Sequence, residues 1–221
     1  ARRPKYVVMS VAFRPPTPES LTIEGPVGAV EAKLEDPGTA PIVRYGIVCH
    51  PHPLHGGTMD NKVVHTVARA MQELGAPTLR FNFRGTGASA GAFDDGRGEV
   101  DDLLAVASFA RLRWPQAELW LAGFSFGAWI ALHAENQLSP AKLVTVAPPV
   151  GRFVAGTVAA PRAPWLLVQG DADEVVAAAD VLGWAESLVP RPQFAVLPGA
   201  GHFFHGRLHE LKARVLDFLA A

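Results

Sequence analysis

At 221 residues the chain is long enough to bury a core without staples, and its single cysteine, Cys49, excludes an intrachain disulfide. A net charge of −1, with 49% hydrophobic and 19% charged residues, supplies no long-range field for nucleic acid or an anionic membrane, and no segment is apolar over the length of a membrane span. The expectation is a cytoplasmic protein, a single domain over 1–221, monomer or homodimer, that binds a small, weakly charged molecule.

The first forty residues read as strands, "KYVVMSVAF", "SLTIEG" and "GAVEAKL", separated by stretches rich in Pro and Gly. From residue 42 the pattern changes to short apolar runs alternating with segments of helical spacing. "YGIVCH" precedes a helix over 61–74, "PTLRFNF" one over 98–113, and "LWLAGF" one over 126–138. "KLVTVA" and "PWLLVQ" follow, then a helix over 176–189, "QFAVLP" and a helix over 206–220. Val64, Val67, Ala68, Met71 and Leu74 form one helical stripe, with Asp60 and Asn61 as cap candidates and Gly75 as a stop. Such alternation predicts an α/β fold with mostly parallel strands and helices on both faces.

Between "LWLAGF" and the next helix stands Gly123-Phe124-Ser125-Phe126-Gly127. A serine flanked by glycines two residues away on either side, at a strand-to-helix junction, has the pattern of a nucleophile elbow. Open parallel sheets place their ligand crevices at such strand ends, and the first amides of the following helix point at an oxyanion formed there. A serine hydroxyl needs a base, and the base an orienting acid. His202, in the loop "PGAGHFF" after the last strand, is the candidate base; His205 and His209 fall on or beside the next helix. "LLVQGDADEVV" ends a strand with Asp171, Asp173 and Glu174 as candidate acids, of which Asp171 suits a turn role.

These segments resemble the α/β-hydrolase superfamily, and within it the small bacterial hydrolases carrying "HPHP" after the first central strand, of the dienelactone-hydrolase and esterase type. The resemblance rests on "GFSFG", "GDADEVV", "GAGHFF", "CHPHPLHGG" and "FNFRGTGAS", and runs from about residue 20 to the C-terminus. It implies the α/β-hydrolase fold with antiparallel strands at the N-terminus, and a triad of Ser125, Asp173 and His202, with Asp173 preferred over Asp171 by the G-x-x-D-x-x-V pattern. It also implies an oxyanion hole from the Phe126 N–H and a donor within 51–57, for which Leu54 is chosen because Pro51 and Pro53 lack an N–H. Asn82 stands where many members carry aspartate, a position that supports a turn. Only "GRFVAGTVAAPRA" lies between the two strands that bracket the family's usual lid insertion, too short for a folded cap, so no lid domain is expected.

The activity implied is hydrolysis of short-chain acyl esters through an acyl-enzyme, with a thioesterase, a small peptidase or a non-catalytic binding protein as alternatives on the same fold. "HPHPLH" begins like a metallohydrolase motif but has Leu54 in place of its aspartate, so His50, His52 and His55 are not expected to hold a metal. Cys49, at the end of an apolar strand, is read as structural and not as a thiol nucleophile. With no glycine-rich nucleotide-binding motif in place, no cofactor is expected.

Overall fold

The computed structural model describes residues 14–151 and 159–221; the strand expected over 5–13 lies outside the described residues. Among the described residues eight strands form one sheet: β1 (Glu19–Gly25), β2 (Gly28–Glu35), β3 (Arg44–Cys49), β4 (Thr78–Phe81), β5 (Glu118–Phe124), β6 (Lys142–Val146), β7 (Trp165–Gly170) and β8 (Gln193–Leu197). Their spatial order is β1-β2-β4-β3-β5-β6-β7-β8. The β1–β2 and β2–β4 pairs are antiparallel and all others are parallel. Among the described residues five α-helices join them: α1 (Lys62–Glu73), α2 (Arg97–Arg113), α3 (Phe126–Leu138), α4 (Ala178–Glu186) and α5 (Leu208–Ala220).

Side chains alternate across the central strands, so one strand feeds two cores. Along β5, Leu119 and Leu121 join the core with Leu103, Val106 and Ile130 from α2 and α3. Trp120, Ala122 and Phe124 face the other way, against Val64, Val67 and Met71 of α1 and Leu211 and Val215 of α5. Both faces are covered, which is why β3, β5, β6 and β7 are continuous apolar runs, almost wholly buried. Among the described residues no helix is long and apolar enough to cross a membrane.

The helix ends obey local chemistry. The Asn61 side chain caps α1 by accepting from the Val63 N–H at 2.8 Å. Buried Glu99 closes the start of α2 by accepting from the N–H groups of Asp94 and Gly96 at 2.9 and 2.8 Å. One element is shorter than its apolar pattern: α4 occupies Ala178–Glu186 within the expected 176–189, and only Val181 and Ala185 of it are buried. The chain leaves β3 leftward to β4 and returns to β5 on the other side, so the sheet order reverses between the carboxyl ends of β3 and β5. The functional loops converge on this crevice.

Candidate active site

Ser125 sits between β5 and α3 with φ 53° and ψ −119°, a backbone conformation that is sparsely populated for residues with a side chain. Its N–H bonds the Val146 carbonyl at 2.8 Å, and its own carbonyl accepts from the N–H groups of Ala128 and Trp129, so neighbouring elements hold the strained residue in place. The flanking glycines are required by contact. A Cβ on Gly123 would lie 2.1 Å from the Gly127 carbonyl oxygen, and one on Gly127 would lie 2.4 Å from the Cys49 carbonyl oxygen. This close approach packs the start of α3 against the end of β3.

The structure brings Ser125, His202 and Asp173 into one hydrogen-bonded chain, although they lie 77 and 29 residues apart in sequence. Ser125 Oγ is 3.1 Å from His202 Nε2, and His202 Nδ1 is 2.8 Å from Asp173 Oδ2. The imidazole is 3% exposed and lies against Phe124, with ring centroids 5.0 Å apart. Asp173 uses its other oxygen to accept the Val175 and Val176 N–H groups at 2.9 and 2.7 Å, and Gln169 Nε2 donates to Oδ2 at 3.0 Å. Burial pushes the Asp173 carboxyl upward, but the hydrogen bond from His202 and those from the two amides outweigh it and hold the group below the usual carboxylate range.

The three acidic residues of the β7–α4 loop divide their work. Asp171 Oδ1 accepts from the Gly199 N–H at 2.6 Å and Glu174 Oε2 from the His202 N–H at 3.1 Å, so both grip the backbone of the histidine loop while Asp173 holds the ring. Asp171 therefore serves the turn that carries His202, across from its own. Nothing periodic in the sequence marks Glu174 or Gln169 for these contacts; their position within four residues of Asp173 was the only signal.

Phe126, the first residue of α3, follows Ser125 directly, and first-turn amides point out of a helix toward its N-terminal end. The loop after β3 is placed differently from expectation at Leu54. Pro53–His55 forms a 3₁₀ turn in which the Leu54 N–H donates to His52 Nδ1 at 3.2 Å, and Leu54 itself is 69% exposed and away from the cavity. Eliminating the prolines left Leu54 as a donor, but the turn commits its amide within the loop. From this loop His52 and His55 line the cavity, their rings stacked 4.4 Å apart. The cavity beside Ser125 has a volume of about 360 Å³; Phe126, Val150, Val175 and Val176 contribute to its mainly apolar wall.

The other motifs are structural. Cys49 is fully buried, which pushes its thiol far above the usual range and denies it thiolate character. His50 is also fully buried, and backbone groups engage both ring nitrogens: Nδ1 lies 2.6 Å from the Pro51 carbonyl and Nε2 accepts from the Phe83 N–H at 3.0 Å. With neither nitrogen open, it ties the loop after β3 to the end of β4. Asn82 accepts from the Met59 N–H through Oδ1 and donates Nδ2 to Glu31 Oε2 at 2.7 Å. Glu31 also takes the Ala88 N–H, so the carboxylate of this turn comes from β2, and aspartate at 82 would face it with like charge. Among the described residues no group of three His, Cys, Asp or Glu side chains is arranged to hold a metal.

Burial pushes the His50 imidazole down from 6.5 to about 4, against the raising effect of its bond to Pro51. The unfolded chain therefore binds a proton that the folded chain refuses between those values, and stability is lost as pH falls through that window. Between pH 7 and pH 5, wild type should lose about 2 kcal/mol more than His50→Asn in urea unfolding. Equal losses in the two proteins would contradict this role.

The comparisons with known proteins agree with the geometry. The family described as serine aminopeptidase, S33, matches residues 52–153, which include the elbow. An α/β serine hydrolase without lid from Xanthomonas campestris is 43% identical, with 94% of this chain and 96% of that chain covered and a TM-score of 0.86. An α/β serine hydrolase homologue from Coxiella burnetii is 48% identical over 91% of this chain and 97% of that one, with a TM-score of 0.87. The uncharacterised protein RP471 of Rickettsia prowazekii is 34% identical over 209 residues, covering 90% of this chain and 87% of its own. With sheet, elbow and relatives in accord over nearly their whole lengths, the chain belongs to the lidless α/β serine hydrolases.

Proposed function

We propose that the protein is a carboxylesterase that cleaves short-chain acyl esters through a serine acyl-enzyme. The observation that carries this reading is the chain from Ser125 Oγ through His202 to Asp173 at the edge of the cavity. His202 Nε2 takes the Ser125 proton as Oγ attacks the ester carbonyl. The oxyanion is held by the Phe126 N–H. His202 then protonates the leaving alcohol, and water repeats the attack on the acyl-enzyme, returning the proton to Ser125. Asp173, ionised, fixes the Nδ1–H tautomer and stabilises the imidazolium.

The preference for short chains follows from size and cover. About 360 Å³ is near the lower end for ligand pockets, and without a lid a long alkyl chain stays in water. Across p-nitrophenyl esters, kcat/KM should be greatest for acetate to butyrate and fall toward decanoate. A maximum at decanoate, or a rate jump as substrate enters micelles, would overturn the chain-length reading.

The match to the serine aminopeptidase family supports a second reading, in which the same groups cleave an amide. It predicts turnover of an amino-acid anilide at a rate comparable with the matching ester.

A further inference from the structure

Among the described residues lining the cavity beside Ser125, one side chain carries a fixed charge: Asp180, in the first turn of α4. Among the described residues no arginine or lysine lines it. The Asp180 backbone N–H bonds the Ala177 carbonyl, but among the described residues its carboxylate engages no hydrogen bond or ion pair. The wall it shares is aromatic as well as aliphatic. The stacked imidazoles of His52 and His55, with ring centroids 4.4 Å apart, line the same space. An unpaired carboxylate together with aromatic faces is the combination that recognises an ammonium group, by charge and by cation–π attraction.

We propose that the site selects esters or amides whose acyl or leaving group carries a protonated amine or quaternary ammonium, with Asp180 as the specificity-determining residue. The inference rests on the hydrolase reading and extends it to a substrate class. An acidic residue in the first turn also favours the helix electrostatically, so Asp180 has a structural use as well. A structural role would change both members of a charged and neutral substrate pair alike, whereas recognition changes their ratio.

The test is therefore a ratio of kcat/KM on one protein. Alanine benzyl ester is compared with benzyl propionate for the acyl side, and acetylcholine with its uncharged carbon isostere for the alcohol side. The pH is held near 7, where an α-amino group is largely protonated and an ordinary imidazole largely neutral. Wild type should prefer the charged member of at least one pair by about fivefold, the scale of a solvent-accessible ion pair, and high salt should reduce the preference. In Asp180→Asn the ratio should fall close to one, and in Asp180→Lys it should invert. Hydrolysis of all four esters with a ratio unchanged in both variants would overturn this inference while leaving the esterase reading in place. Failure of wild type to hydrolyse any of them would overturn both.

Discussion

Replacing Ser125 by alanine should lower kcat for p-nitrophenyl acetate by about 10⁴- to 10⁶-fold while leaving the unfolding midpoint nearly unchanged. The size of the loss follows from the chemistry, because among the described residues no other oxygen or sulfur nucleophile is bonded to His202 Nε2. Cys49 is buried at the end of β3 with its thiol held protonated, so it cannot substitute. The fold should survive because, among the described residues, the Ser125 hydroxyl bonds only to His202 Nε2, while the strained backbone is held by main-chain bonds that alanine also makes. Retention of more than about a tenth of the wild-type rate would show that the serine is not the nucleophile.

The second large effect should appear at Asp173. Asparagine there can keep its oxygen toward the Val175 and Val176 amides, which turns its NH₂ toward His202 Nδ1 and Gln169 Nε2. The imidazole then moves its proton to Nε2 and faces Ser125 as a donor, unable to accept the hydroxyl proton. A loss of about 10⁴-fold in kcat is expected, with KM changed little. Asp171→Asn should cost less than about tenfold, because among the described residues the Asp171 carboxylate holds only the Gly199 N–H and asparagine retains an acceptor. The reverse ranking would assign the orienting carboxylate to Asp171.

Much of this arrangement was legible in the residues themselves. The stripe Val64, Val67, Ala68 and Met71 marks α1 because one face must be buried, and the apolar runs at 44–49, 119–124 and 165–169 mark strands covered on both faces. The elbow was legible because Gly123 and Gly127 answer a steric demand that few residues meet. What supports the site was not. Glu31 and Asn82 meet across 51 residues, and His50 reaches Phe83 across 33, contacts that follow no local period. The donation from Leu54 to His52 depends on a 3₁₀ turn of three residues, too short to leave a pattern. Helix α4 fell short of the expected 176–189 because the Val176 N–H is bound to Asp173 in the acid loop and exposed Val189 stands beside Pro190.

The central claim is that Ser125 is an activated nucleophile, and intact mass after treatment with a fluorophosphonate tests it without assuming a substrate. The account predicts one phosphonyl adduct per chain, mapped to Ser125 and absent from Ser125→Ala. No adduct on wild type, or one on any other residue, would contradict it.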